Sequence, residues 1–183
     1  MSTNGEGAQM EGAVEETLRP PQGGAVVTKE DGGRHLSGPE AWLRPFDELR
    51  AGDTFASRAR TITEADVVQF AALTGDWHPA HSDVTWAEEN IFGQRVAHGM
   101  LVVCFAIGLV PNDYVMALRR IKNMVFKNPV FFGDTIHVEG KVARKMDMTD
   151  EVGMITGRWK IVNQRDETIC KLEIEALWRR NPL

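Results

Sequence analysis

Residues 98–111 read His98-Gly99-Met100-Leu101-Val102-Val103-Cys104-Phe105-Ala106-Ile107-Gly108-Leu109-Val110-Pro111, and this stretch decides the fold. Eleven apolar residues, Met100–Val110, follow a His-Gly pair and stop at a proline. The run is too short to span a bilayer, which takes about 20 residues. It has almost no polar face, so a helix here is expected to be buried on all sides. At 1.5 Å per residue it extends about 17 Å, enough to fill the hollow of a curved sheet.

Downstream the period changes from helical to alternating. Ile136, Val138, Gly140 and Val142 alternate with His137, Glu139 and Lys141. Ile155, Gly157, Trp159 and Ile161 alternate with Thr156, Arg158 and Lys160. Cys170, Leu172, Ile174, Ala176 and Trp178 alternate with Lys171, Glu173 and Glu175. Strands with one wet face read as antiparallel, joined by polar turns at Asp147–Glu151 and Asn163–Glu167. An earlier strand, Lys122–Phe132, carries Pro129, which predicts an edge position or a bulge. Upstream, Gly52–Ile62 reads as a first strand. Thr63 is a good N-cap with acidic residues behind it, and the helix it starts stops at Gly75. A loop, Asp76–Asp83, leads to a short helix near Trp86–Asn90. The expected fold class is α+β: one strongly bent antiparallel sheet wrapped around a buried apolar helix.

The chain has 183 residues, enough for one domain with a proper core. Residues 1–41 are rich in glycine, proline and small polar residues and hold no sustained apolar period, so a disordered N-terminal tail is expected there. Val14–Leu18 and Ala25–Val27 are its only stretches that could dock locally. Residues 42–180 form the expected domain. Lys and Arg number 21 against 26 Asp and Glu, a net charge of −5. No basic surplus favours nucleic acid or anionic membrane as a partner. Two cysteines, Cys104 and Cys170, make no disulfide framework and no zinc spacing, and the N-terminus lacks the pattern of a signal peptide. A cytoplasmic location is expected.

Polar chemistry concentrates in Gly75-Asp76-Trp77-His78-Pro79-Ala80-His81. A carboxylate and an imidazole five positions apart in a proline-stiffened loop can converge on one water molecule, each taking or giving a proton. An equally ordinary reading makes them turn formers. Ala97-His98-Gly99-Met100 stands at the mouth of the apolar helix, where first-turn N–H groups have no helical partner. An N–H there can stabilise charge developing on a carbonyl oxygen. Alternatively, Gly99 serves only close helix–sheet contact and His98 only caps the helix. One acid/base pair with one oxyanion donor, and neither a metal set nor a nucleophile motif, suits addition or elimination of water beside a polarised carbonyl. Serine-hydrolase, phosphate-loop and dinucleotide motifs are missing from the sequence.

Three segments in order carry a resemblance: Leu73-Thr74-Gly75-Asp76-Trp77-His78-Pro79-Ala80-His81, Val96-Ala97-His98-Gly99-Met100-Leu101, and Asn128-Pro129-Val130-Phe131-Phe132-Gly133-Asp134. Together they resemble the MaoC-like hydratase/dehydratase family, a hot-dog fold that includes (R)-specific enoyl-CoA hydratases. The resemblance covers about Phe46 to Trp178. It implies reversible addition of water to a trans-2-enoyl thioester, giving the (R)-3-hydroxyacyl thioester on CoA. It also implies Asp76 and His81 as catalytic residues and the Gly99 N–H as oxyanion donor, with no cofactor or metal. His78, Pro79, His98 and Met100 are expected beside the site or against substrate. The alternatives are a dehydratase acting on an acyl-carrier-protein thioester, a hot-dog thioesterase, and a non-catalytic acyl-binding module.

Two departures stand out. His78 occupies a position where the family has asparagine. The apolar helix also lacks the serine that in relatives holds the acidic side chain, Ile107 standing in its place. Arg119, Arg120, Lys122 and Lys127 read either as contacts for CoA phosphates or as a solvated basic strand edge. Cys104 reads as an apolar filler. Open sheet edges need cover, so a homodimer or higher homo-oligomer with sites near its interface is expected.

Overall fold

The structure, a computed structural model, describes residues 33–36 and 42–181. In chain order its strands are His35–Leu36 (β1), Thr54–Ala56 (β2), Arg60–Thr61 (β3), Val115–Phe126 (β4), Thr135–Asp147 (β5), Val152–Asn163 (β6) and Thr168–Arg179 (β7). Its α-helices are Glu64–Thr74 (α1), Pro79–Ser82 (α2), Val84–Glu88 (α3) and Gly99–Leu109 (α4). The strands make one sheet in the order β1-β2-β5-β6-β7-β4, with β3 also paired to β5. All pairings are antiparallel except β1 on β2.

Alternation builds the core as expected. Ile136, Val138, Val142 and Ile161 point inward and are fully buried against Leu101, Val102, Val103 and Ala106 of α4. Gly140 is required by packing: a Cβ there would stand 2.0 Å from the ring of Phe55. The polar turns between β5, β6 and β7 lie where the sequence puts them.

Several expectations need correction. α4 is not buried on all sides: Met100, Cys104 and Gly108 face solvent, four residues apart on one stripe. The sheet of a single chain covers only one flank of the helix, so Cys104 is a surface thiol rather than a core filler. The expected first strand, Gly52–Ile62, is split into β2 and β3. The Ser57 N–H donates to the Val138 carbonyl while its Oγ accepts from the Val138 N–H, both at 2.8 Å. A side-chain oxygen thereby replaces a backbone partner and the ladder breaks. β4 starts and ends earlier than expected; it is indeed the sheet edge, but Pro129 lies past it. Beyond Phe126 the N–H groups of Lys127 and Asn128 both turn to the Ile169 carbonyl.

Glu175, expected on a wet face, is 2% exposed. It lies beneath Lys122 at 2.5 Å, Arg119 at 3.2 Å, Arg120 at 3.8 Å and Arg144 at 4.0 Å. Burial alone pushes its carboxyl up, but the Lys122 hydrogen bond and charge, with Arg120 and Arg119, outweigh this and hold it below the ordinary value. The three basic residues of β4 are thus gathered by a carboxylate across the ladder.

Within the expected tail, residues 33–36 are ordered against the domain. Arg34 donates from its backbone N–H and guanidinium to buried Asp53, and β1 pairs with β2. Val14–Leu18, Ala25–Val27 and the rest of 1–32 and 37–41 lie outside the described residues.

Candidate active site

Local signals place the polar segment before any tertiary contact does. The Thr63 Oγ1 accepts from the Asp66 N–H while the Asp66 carboxylate accepts from the Thr63 N–H, a reciprocal cap that starts α1. Gly75 ends it in the left-handed region, φ 79°, where glycine carries no steric cost. The turn sends Asp76 away from the helix axis. Its Oδ1 accepts from the His78 N–H at 3.3 Å.

The loop expected over Asp76–Asp83 contains the single-turn helix α2. Pro79 supplies the first helical φ, and the His78 Nδ1 caps it by accepting from the Ala80 N–H at 3.2 Å. His81 lies in its last turn. Asp83 then caps α3 through the Trp86 N–H at 3.0 Å, which starts that helix slightly ahead of the expected Trp86.

Three contacts tie this segment to the mouth of α4. The Val96 N–H donates to the Ala80 carbonyl at 3.0 Å, and the His81 Nδ1–H donates to the Val96 carbonyl at 2.7 Å. The His98 Nε2–H donates to the Asp76 carbonyl at 2.9 Å and stands 4.0 Å from the Asp76 Oδ2. His98 occupies the N-cap position without capping; its ring turns toward Asp76 instead. That ring stacks on His81 with centroids 3.7 Å apart and is flanked by Phe70 at 5.0 Å.

These bonds fix the tautomers. His81 carries its proton on Nδ1 and presents an Nε2 lone pair. Burial pushes its pKa below the ordinary 6.5; repulsion from His98 and His78 adds to this, and the Val96 bond and Asp76 charge oppose it. His81 therefore stays a neutral base.

Asp76, His81, His98, Gly99 and Met100 line one cavity of about 690 Å³, together with Lys127 and Asn128. Pro79 is not in that wall; it serves α2. A Cβ on Gly99 would lie 2.8 Å from the Phe126 ring, so close packing demands this glycine while its first-turn N–H stands at the cavity. Arg119, Arg120 and Lys122 are elsewhere, on Glu175. Ile107 is also elsewhere, at the other end of α4; Asp76 takes its support from His78 and His98 instead.

The polar atoms of Asp76, His81 and His98 lie within 4.8 Å of one another, a span a divalent ion could bridge. The His98 Nε2 carries the proton given to the Asp76 carbonyl, and its buried Nδ1 finds no partner among the described residues. Acceptor atoms on His81 and Asp76 also remain, able to hold one water molecule.

The sequence reading missed Asn128, Phe92 and Phe126 in the cavity wall, although Asn128 opens the third quoted segment. It also missed the structural role of that segment. The Ala97 N–H donates to the Val130 carbonyl, and Ile62 exchanges backbone hydrogen bonds with Gly133 and Asp134, so it joins the starts of α1 and α4. Asp134, 3% exposed, anchors it by accepting from the Phe131 N–H, Gln164 and the two terminal guanidinium nitrogens of Arg165.

A helix held against a curved antiparallel sheet, with its N-terminus on the polar site, defines a hot-dog protein. The fold recurs in a double hot-dog protein from Mycobacterium tuberculosis (TM-score 0.67, 19% identity, covering 75% of this chain and 44% of that one). The sequence profile of the MaoC like domain matches residues 48–164, and the chain belongs to that family. Protein MaoC of Klebsiella aerogenes is 39% identical over 124 residues, 63% of this chain and 37% of that protein. The chain thus spans little more than a third of that relative. An (R)-specific enoyl-CoA hydratase of Rhodospirillum rubrum is 33% identical over 105 residues, 55% of this chain and 71% of that one. A monoamine oxidase regulatory protein from Archaeoglobus fulgius superposes with TM-score 0.69 at 34% identity, covering 81% of this chain and all of that one. No helix among the described residues is long and apolar enough to cross a membrane.

Proposed function

We propose that this protein adds water reversibly across the double bond of a trans-2-enoyl thioester, giving the (R)-3-hydroxyacyl thioester, with CoA as the carrier. The observation that carries this reading is that His81, bonded through Nδ1 and with Nε2 uncommitted, shares one cavity at the start of α4 with Asp76, a polar atom of each lying within 4.8 Å of the other. In hydration, His81 takes a proton from the bound water as its oxygen attacks C3. The Gly99 N–H receives the charge that develops on the thioester oxygen, helped by the positive end of α4. His81 passes the proton it has taken to the Asp76 carboxylate, which delivers it to C2, so that both groups end as they began. Dehydration reverses these steps.

The relatives support the reaction class: one is named an (R)-specific enoyl-CoA hydratase and another, from Methylorubrum extorquens, a 3-hydroxybutyryl-CoA dehydratase. A third, from Arabidopsis thaliana, is named a 3-hydroxyacyl-[acyl-carrier-protein] dehydratase, which keeps the carrier protein as the rival substrate. The decisive experiment follows the ultraviolet absorbance of crotonyl-CoA and of a crotonyl carrier protein, with free thiol measured in parallel. Loss of conjugation without thiol release is expected, faster on CoA. Thiol release in step with substrate loss overturns the proposal in favour of a thioesterase.

The working form is proposed to be a homodimer. Met100, Val125 and Phe126 are each more than two-fifths exposed beside the cavity mouth, and β4 leaves a sheet edge open. Light scattering should find at least a dimer; a monomer at working concentration overturns this. Cys104 and Cys170 are both free thiols, which suits the expected cytoplasm.

A further inference from the structure

Cross-strand neighbours in a ladder point to one face of the sheet, so the register shows what its outer face collects. Beside the row that holds Glu175, Lys141, Arg158, Glu173 and Lys122 stand side by side across β5, β6, β7 and β4. The next row is Glu139, Lys160, Lys171 and Val125. Their chain neighbours Trp159 and Leu172 are in the core, so these two rows face away from α4. Five cations there meet two carboxylates, on a chain whose net charge is −5. A cavity of about 650 Å³ is lined by Lys141, Arg158, Lys160 and Lys171 of these rows.

Internal pairing leaves part of this charge uncompensated. Glu173 accepts from Arg158 at 3.0 Å, and Glu139 has Lys160 at 3.7 Å and His137 at 4.0 Å. Neither carboxylate is paired with Lys171 among the described residues. Lys160 and Lys171 are direct partners across the ladder, and like charges so placed destabilise a sheet. An anion held between them reverses the sign of that contact. With the Glu175 row, the patch spans about 14 Å along and across the strands, roughly 200 Å². A specific protein interface takes about 800 Å² from each partner, so this patch fits a small polyanion rather than a macromolecule.

The basic cavity and the catalytic one share no residue but adjoin at the start of β7. Ile169, which lines the catalytic cavity and accepts from the Lys127 N–H, precedes Lys171 by two residues, about 7 Å along the strand. Phe126 of the catalytic cavity follows Val125, the ladder partner of Lys171. We propose that the basic cavity holds the nucleotide end of the CoA thioester, its phosphates against Lys160, Lys171, Lys141 and Arg158. This rests on the reading above that CoA is the carrier. The thioester arm rounds the strand ends beside Lys127, with its acyl group at His81 and its phosphates on the outer face. The pyrophosphate and the ribose phosphate bring the negative charge that Glu139 and Glu173 do not supply.

The probe is adenosine 3′,5′-bisphosphate, which carries phosphates of that end without the acyl arm. Titration calorimetry on the full chain should show saturable binding that CoA displaces and salt weakens. The double variant Lys160→Glu with Lys171→Glu should weaken it about tenfold or more, the scale of a lost charge-assisted bond to phosphate. Both side chains are exposed, so this variant should fold. In turnover, the bisphosphate should compete with crotonyl-CoA but not with crotonyl-N-acetylcysteamine, a thioester without phosphate. The variant should lower the ratio of kcat/KM on crotonyl-CoA to kcat/KM on that thioester, again by about tenfold. No saturable binding, or equal binding by the variant, overturns the proposal. Binding that leaves crotonyl-CoA turnover uninhibited also overturns it and assigns the cavity to a separate polyanion. The calorimetry needs no turnover: a chain that binds the bisphosphate and CoA at one site yet hydrates no enoyl thioester refutes the proposed reaction alone.

Discussion

Glu175 is buried and His81 half-buried, and the chain treats them in opposite ways. Around Glu175 four cations crowd within 4.0 Å, and each carboxylate oxygen accepts a hydrogen bond, one from Lys122 and one from Arg119. Asp134 is the same case, enclosed by Arg165, Gln164 and the Phe131 N–H. His81 is held by one bond through Nδ1 and stacked on one ring, while its Nε2 is left over. A saturated buried charge fixes geometry and does no chemistry, because any proton movement would break the network that holds it. A half-committed group in a cavity can exchange a proton without disturbing its anchor.

The largest effect should come from removing the half-committed pair. His81→Gln and Asp76→Asn are each expected to lower kcat on crotonyl-CoA by roughly 10²–10⁴, the range for a lost general acid or base. Both chains should fold, since neither residue is buried in the core. Parent-like rates in both variants would dissolve the contrast with Glu175.

Glu175→Gln tests the other side. Removing the charge leaves Lys122 and the arginines facing one another over a buried amide. The expected loss is about 2–3 kcal/mol, below the usual range for breaking a buried pair because these cations are part-exposed. Denaturant unfolding should show it, with kcat unchanged. The sign of its pH dependence follows from the lowered pKa: the charge stabilises above the ordinary 4.5, and the contribution is lost as pH falls through the lower folded value. Parent and variant should therefore converge in acid.

A smaller effect is expected in the rate profile. A neutral base is required, and burial lowers the His81 pKa, so the neutral form persists into more acid solution than for free histidine. The acid limb of kcat/KM should fall below pH 6.5. A limb at or above that value would mean that Asp76 governs the ring more than burial does.

Much of this was legible in residues and spacing. The cap Thr63, the stop Gly75 and the alternation of β5, β6 and β7 are local signals, and local signals survived folding. The gathering of Asp76, His81 and Gly99 followed from three quoted segments. What the sequence hid depends on coverage by distant chain. Cys104 and Met100 look like core because nothing in an apolar run says that a sheet will reach only one flank. Glu175 looks like surface because its four cations come from β4 and β5, more than thirty residues away in sequence at the nearest. The break between β2 and β3 turns on one hydroxyl, Ser57, meeting Val138 across 81 residues.

The smallest expected effect concerns His78. Where the resemblance implies asparagine this chain has an imidazole, yet its Nδ1 does what an asparagine oxygen does at an N-cap: it accepts the Ala80 N–H. Edge contact with Trp86 at 5.3 Å gives the ring a packing role besides. His78→Asn should change stability by less than about 0.5 kcal/mol and leave kcat within about twofold, because the acceptor is kept. His78→Ala removes it and should cost about 1 kcal/mol, loosening the single turn that carries His81. If His78→Asn instead lowers kcat strongly while stability holds, the ring meets substrate directly. The cavity would then contain a second imidazole at work, and the contrast with Glu175 would rest on three groups rather than two.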